Sequence, residues 1–259
     1  MKHNKIFKRT QRKLLGTITH VTTDEPIVAL TFDDGPHPVY TTAVLELLAR
    51  YNAQATFFIV GKAAQEQPQL VQRILQAGHA LGNHSWDHPA FPELDWRARQ
   101  EQIRAWEHNV GRQPNLLFRP PWGLQSSWSR LTLFWLGYQV ITWNVAPEDW
   151  LWQEPGALAE RIIQAATPGS IILLHDAIYQ SQMEQPQYDR QYMITGLENA
   201  LNVLSHRFRF VTVPQLLAIG RPVRRMWLAQ GTGNHIPIST ETIAPITNVT
   251  AVNQQLHHQ

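Results

Sequence analysis

The chain predicts an α/β fold of parallel strand–helix units, and three observations carry that expectation. Short runs rich in β-branched and aromatic residues alternate with helical patterns from about residue 26 to about residue 213 of the 259. Helical patterns end on turn punctuation, Gly78 after one and Pro168-Gly169 after another. The composition is 43% hydrophobic and only 16% charged, against about a quarter charged in an average soluble domain. A single domain of this length buries about three quarters of its unfolded surface, so core size is no obstacle. The alternation suits a closed barrel or an open doubly wound sheet, and the pattern leaves both open.

Taken in order, the first strand is the apolar run at 27–32, followed by a helical pattern at 41–50. A strand at 56–60 precedes a helix at 63–77, which Gly78 closes. The short strand 79–82, the helix 95–110 and the strand 116–118 come next, then a helix at 125–136. Strand 138–143, helix 155–166, strand 170–174, helix 192–205 and strand 208–213 complete the series of seven strands. The expected domain therefore spans 25–222, between an N-terminal arm at 1–24 and a tail at 223–259 rich in Thr, Pro, Asn and Gln. No internal repeat is visible.

Composition also excludes whole classes. No stretch approaches the roughly 18 apolar residues of a membrane span. With no cysteine, disulfide frameworks, thiolate zinc sites, iron–sulfur clusters and cysteine nucleophiles are ruled out together. Any metal must be held by histidine and carboxylate. Lys2, Lys5, Lys8, Arg9, Arg12 and Lys13 place six cations and no acid in the first 13 residues, and the remaining body is mildly acidic. A solvated terminus is the plain reading of such an arm, and a weak contact with a membrane surface stays open. No helix-turn-helix, zinc-finger or RNP pattern accompanies it, so no nucleic-acid partner is expected. The arm lacks the apolar core of a secretory signal, which predicts a chain without an export address.

Five segments carry chemistry. Thr31-Phe32-Asp33-Asp34-Gly35-Pro36 follows the first strand and sets two carboxylates at its end. Side chains alternate along extended chain, so one of them can bind a cation while the other stays a free base. A helix cap or an Asx-turn explains an isolated Asp there equally well. In His84-Ser85-Trp86-Asp87-His88 the histidines are four apart, as on one face of a helical turn, which suits joint ligation of one ion. Two imidazoles and a carboxylate, with a position left for water, have the composition of catalytic zinc sites. Zn²⁺ is thus the first expectation, and Co²⁺, Mn²⁺ and Ni²⁺ also fit the donor set. Arg119-Pro120-Pro121-Trp122-Gly123, the segment from Asn144 to Trp150, and Leu173-Leu174-His175-Asp176 stand at later strand ends. Each has a structural explanation alone. Together they put polar or aromatic groups at the C-terminal ends of five of seven expected strands, the face where catalytic loops gather in such folds.

In this order the segments resemble those of the polysaccharide deacetylases with a NodB-homology domain, the family-4 carbohydrate esterases. The resemblance spans about residues 25–220. It implies a distorted (β/α) barrel with about seven parallel strands and a divalent-metal site that hydrolyses acetylated amino sugars of peptidoglycan or chitin type. It implies Asp34, His84 and His88 as metal ligands and Asp33 as general base. Arg119 would hold Asp33 ionised and oriented, and the backbone N–H near Trp122 would assist the oxyanion. Trp150 and Leu173 would wall the acetyl pocket, and His175 would be the general acid, oriented by Asp149. One departure is Ala146, where the family's fourth segment usually begins with Asp. An O-acetyl esterase acting on a polysaccharide such as xylan, a deformylase or deacetylase of a lipid-linked sugar, and a non-catalytic carbohydrate-binding domain are the competing readings. Family substrates usually lie in the cell envelope or outside, which conflicts with the missing export address. Of ten tryptophans, Trp86, Trp122, Trp143, Trp150 and Trp152 lie in or beside these loops, and one or two are expected to stack on sugar rings.

Overall fold

A computed structural model describes residues 15–179 and 189–227. The basic residues up to Lys13 and the tail from 228 onward lie outside the described residues. The elements run β1 (Thr17–Thr22), β2 (Ile27–Asp33), α1 (Tyr40–Arg50), β3 (Ala55–Ile59), α2 (Gly61–Glu66), α3 (Pro68–Gln76), β4 (Ala80–Asn83) and α4 (Trp96–Val110). They continue with β5 (Leu117–Phe118), α5 (Ser127–Trp135), β6 (Gln139–Val140), α6 (Pro155–Ala165), β7 (Ile171–His175) and α7 (Gln191–Leu204). β8 (Arg209–Phe210), α8 (Val213–Ile219) and β9 (Arg221–Arg225) close the described chain. None of the described helices is long and apolar enough to cross a membrane.

Seven parallel strands form one curled sheet in the order β6-β5-β4-β3-β2-β7, with β8 also on β2. β2 is shared along its length: Ile27 and Val28 pair with β8, and Ala29 onward pairs with β7. The edges β7 and β6 are drawn together without a full ladder. Val145, just past β6, bridges to Ile172, and the Leu173 N–H donates to the Val145 carbonyl at 2.9 Å. The result is the expected distorted (β/α) barrel, and the open doubly wound sheet is set aside.

Strand parity decides what faces the barrel axis. Val28, Leu30 and Phe32 pack outward under the helices, in one cluster with Phe57, Ile172 and Leu174. Ile27 and Ala29 point the other way, packing with Phe58, Ile171 and Leu173. Every residue of β2 is buried, the two-sided burial expected of a central parallel strand. Continuing the inward parity brings Thr31 and Asp33 on β2, and His175 on β7, toward the interior at the C-terminal end. Parallel register pairs Asp33 with His175. It also sets Asn83 beside Phe118, the residues just before His84 and Arg119.

Four expectations change in detail. The single helix at 63–77 is two, because Pro68 has no N–H to continue the first and instead opens the second at its N1 position. The last strand ends at Phe210, since Thr212 and Gln215 form a capping box that starts α8. Strand 138–143 keeps only Gln139–Val140 in the ladder. The domain bounds of 25 and 222 are both too tight. Thr17–Thr22 and Arg221–Arg225 pair antiparallel, so the arm and the tail each contribute a strand. β1 also leans on the barrel: its Ile18 bridges Ile141, and the Val21 N–H donates to the Gly169 carbonyl at 2.9 Å. Gly169 has φ +82, and a Cβ there would lie 1.8 Å from the Val21 carbonyl oxygen, so only glycine permits this approach.

Candidate metal and acid–base site

Asp34 follows the inward-facing Asp33 and by parity would point at the helices. Its φ of 74° breaks the strand and swings the carboxylate back over the barrel mouth. His84 and His88 meet it there, each Nε2 lying 3.2 Å from Asp34 Oδ1. The helical turn expected for 84–88 is absent. These residues form a bend in which Ser85 (φ 69°) and His88 (φ 63°) are left-handed, and the bend achieves the same convergence. Gln102 of α4 pins it, its Oε1 accepting the Trp86 and Asp87 N–H groups at 2.9 and 3.2 Å. Asn83 Oδ1 accepts the Ser85 N–H at 2.8 Å, and Ser85 Oγ accepts that of His88 at 3.0 Å.

The donor set fits a cation. The His84 Nδ1–H donates to the Arg119 carbonyl at 2.8 Å, which fixes the ring with Nε2 toward Asp34. Asp34 Oδ1 is buried without a hydrogen-bond donor, and its other oxygen accepts the Tyr179 N–H at 3.1 Å. Buried acceptors facing one another repel unless a positive charge lies among them. Burial alone would raise the Asp34 carboxyl; positive charge at His88 and N–H donation from His84 and His88 outweigh it and hold the carboxyl well below the usual carboxylate range. Asp34, His84 and His88 could thus hold one metal ion, their ligand atoms lying within 4.8 Å of one another and all three residues buried.

Asp33 and Arg119 stand beside this centre. The fully buried Arg119 donates from one terminal nitrogen to Asp33 Oδ1 at 2.7 Å and to Thr31 Oγ1 at 2.8 Å. It also donates to the Thr142 carbonyl at 2.9 Å, and its guanidinium lies 4.1 Å from the Phe58 ring centroid. Asp33 Oδ2 lies 3.9 Å from His84 Nε2, facing the metal centre.

On the adjacent strand end, His175 Nδ1 is 2.9 Å from Asp149 Oδ1. Asp149 Oδ2 takes the backbone N–H of His175 at 2.7 Å and a terminal N–H of Arg190. Arg190 also donates to the His175 carbonyl at 3.0 Å and the Asp149 carbonyl at 2.7 Å. Burial alone would lower the His175 imidazole, but the Asp149 carboxylate, helped by Asp34 and Asp33, raises it above the ordinary histidine value.

Trp122 lies edge-on to His88, ring centroids 4.8 Å apart, with a left-handed φ of 58°. The next two N–H groups, of Gly123 and Leu124, are taken by Pro120 and Pro121 carbonyls. Trp150 lies edge-on to His175, centroids 5.7 Å apart. It packs with Trp122 and Ala146 against the inner cluster that holds Leu173. Trp143 is no sugar platform, because its faces meet Trp227 and Arg119. Trp152 is 55% exposed and keeps its ring accessible.

Three contributors escaped the sequence reading. Gln102 and Arg190 sit in plain helical or loop context with no motif around them. Asp176 ends the expected Leu173–Asp176 segment, but it is buried, accepts from Thr41 Oγ1 and lies against Gly35. A Cβ on Gly35 would stand 2.4 Å from the Asp176 carboxylate. Burial pushes that carboxyl up to about 7. Of the six non-glycine residues with positive φ among the described residues, five (Asp34, Ser85, His88, Trp122 and Glu148) lie in these loops, where such strain concentrates in functional sites.

Known proteins share this arrangement of elements. A sequence profile described as polysaccharide deacetylase matches residues 20–141. A peptidoglycan-N-acetylglucosamine deacetylase of Bacillus cereus is 35% identical over 216 residues, covering 81% of this chain and 97% of its own. A chitooligosaccharide deacetylase of Azorhizobium caulinodans is 38% identical over 168 residues, covering 63% of this chain and 80% of its own. Among solved structures, the Bc1960 peptidoglycan N-acetylglucosamine deacetylase superposes with a TM-score of 0.70 at 27% identity, over 79% of this chain and 94% of that one.

Proposed function

The chain belongs to the polysaccharide deacetylase family, hydrolases of carbon–nitrogen bonds other than peptide bonds, and on that premise we propose that it removes N-acetyl groups from amino-sugar polymers or oligomers of peptidoglycan or chitin type. The products are acetate and a free amine. One observation carries the reading: a carboxylate with one oxygen held by Arg119 and the other beside three convergent metal donors, next in register to a carboxylate-backed imidazole.

A divalent cation held by Asp34, His84 and His88, with Zn²⁺ the first candidate, supplies Lewis-acid polarisation of the acetyl carbonyl and acidifies water. Asp33 takes the proton from the attacking water through Oδ2, because Arg119 occupies Oδ1 and orients the carboxylate. The Trp122 N–H stabilises the oxyanion, an interaction worth roughly 3–4 kcal/mol in other enzymes. Trp150 and Leu173 enclose the acetyl methyl. His175 then delivers a proton from Nε2 to the departing nitrogen, with Asp149 bonding Nδ1 and favouring the charged ring. A built-in cationic acid supports amide over ester chemistry, since an alkoxide leaves more readily without a proton.

Acetate release from N-acetylglucosamine oligomers and from acetylated xylan, with and without chelator, tests the reading. Chelator-sensitive release from the amino sugar is expected. Release from xylan alone would overturn the N-acetyl assignment, and undiminished turnover without metal would overturn the role of Asp34, His84 and His88.

A further inference from the structure

Asp176 is a buried carboxyl to which the proposed reaction gives no task. It stands one residue past His175 at the end of β7, and parallel register brings that end beside Asp33 on β2. Its Oδ2 accepts from Thr41 Oγ1, and both of its oxygens occupy the space that a Cβ on Gly35 would need. Thr41 Oγ1 in turn accepts the His37 N–H at 2.7 Å, and the Thr41 N–H donates to the His37 carbonyl at 3.0 Å. One carboxyl therefore grips both ends of the short segment 35–41, which joins the left-handed turn at Asp34 to α1. On the other flank of β2, just past β3, the Val60 N–H donates to the Gly35 carbonyl at 2.9 Å.

The loop after β7 also holds Asp34 directly. Three residues past Asp176, the Tyr179 N–H donates to Asp34 Oδ2 at 3.1 Å. Oδ1 is left to face His84 and His88, each with its Nε2 at 3.2 Å. Asp34 reaches that position only because its φ of 74° reverses the strand parity. A non-glycine residue keeps such a conformation only where its surroundings over-determine it, and the grip on Gly35 and Thr41 supplies that constraint from the residues that follow. A ligand side chain fixed beforehand loses less freedom when a cation binds.

We propose that Asp176 is a positioning residue for the metal centre: acting through Gly35 and Thr41, it fixes the turn that sets Asp34 Oδ1 against His84 and His88. The inference rests on the reading of Asp34, His84 and His88 as metal donors. It gives the end of β7 two duties, since His175 is the acid and its neighbour braces a metal ligand. It also accounts for Gly35, because only a residue without a Cβ admits the carboxyl at this distance.

The test is the Kd for Zn²⁺ of the full chain, measured by competition with a chromophoric chelator, beside the Tm of the metal-free protein. Asp176→Ala and Thr41→Val should each raise Kd about 10–100-fold, the usual cost of losing an outer partner of a metal ligand. The double variant should cost clearly less than the product of the two, because both changes remove one shared contact. Asp176→Asn keeps the shape and an oxygen for the Thr41 hydroxyl, so it should bind Zn²⁺ nearly as the parent does. A parent chain that binds no Zn²⁺ would overturn the metal reading itself, and this inference with it. Where the parent binds, an unchanged Kd in either single variant, whatever the fall in Tm, would overturn the role of Asp176 alone. Thr41→Val, nearly equal in volume, decides the matter if Asp176→Ala fails to fold. Weakening in Asp176→Asn as large as in Asp176→Ala would also overturn the proposal, assigning the effect to charge and not to the held turn.

Discussion

Two carboxylate–arginine pairs stand at neighbouring strand ends, and they differ in what each carboxylate has left to give. Asp33 spends Oδ1 on Arg119 and keeps Oδ2 toward the metal centre. Asp149 has both oxygens engaged, Oδ1 by the His175 ring and Oδ2 by the His175 N–H and Arg190. Both pairs are buried. An unpaired charge there would cost several kcal/mol, and each arginine offsets that cost for its carboxylate. The difference is that one pair leaves a basic lone pair for a proton and the other leaves none. In the proposed reaction Asp33 exchanges a proton, while Asp149 holds an imidazole.

The largest effects should come from the metal donors and from Asp33, and they should differ in kind. His84→Ala or His88→Ala is expected to abolish bound metal and turnover together, read by elemental analysis beside acetate release. Asp33→Asn should keep the metal while lowering kcat by about 10⁴-fold, the upper end for loss of a general base. Asp149→Asn should cost far less, about 10²-fold, because it disturbs an orienting group. Equal losses in Asp33→Asn and Asp149→Asn would erase the distinction between the two pairs.

The base pair was more legible in the sequence than the acid pair, for a physical reason. Asp33, Asp34, His84, His88 and Arg119 sit at or just past the C-terminal ends of β2, β4 and β5, strands of one parallel sheet. Strand periodicity alone therefore brings them to one face. Arg190 reaches Asp149 from the N-cap of α7, across a long connection, and local pattern says nothing of such an approach. Gln102 acts from a helix surface through two backbone N–H groups, a contact with no sequence spacing of its own. The left-handed turn at Asp34 was hidden as well. Parity predicts the two aspartates on opposite faces, and only the backbone reversal at φ 74° returns the second to the cavity. β1 was legible in the alternation Thr17-Ile18-Thr19-His20-Val21-Thr22, but the charge of the preceding residues drew it into the arm.

A moderate effect separates the acid from the base by leaving group. His175→Ala should slow hydrolysis of an unactivated N-acetyl sugar by about 10³-fold. An activated aryl acetate should suffer far less, because its leaving group departs without a proton. Asp33→Ala should harm both substrates, since water must be activated in either case. Should His175→Ala slow amide and ester equally, His175 would position substrate, and both pairs would be orienting devices.

The smallest effect is a displacement along the pH axis, and it probes the Asp149 pair most directly. As general acid, His175 must carry its proton at the start of the reaction. Its imidazole is raised above the ordinary value, against the opposing effect of burial, chiefly by Asp149. Turnover of the amide should therefore persist into mildly alkaline solution and fall as pH rises through the raised value. Asp149→Asn removes the negative charge while an amide oxygen can still accept from Nδ1–H, so geometry is largely kept. The charged ring loses its main support, and the alkaline limb should move to lower pH. Arg190→Met acts in the opposite sense: it removes a positive neighbour and should move the limb upward in whatever fraction folds. The aryl ester supplies the control, since its rate should show no limb from His175 in any of the three proteins. A limb that stays in place in Asp149→Asn would mean that the carboxylate fixes the ring's direction without setting its charge. The acid pair would then owe its proton to Asp33 and Asp34 across the cavity.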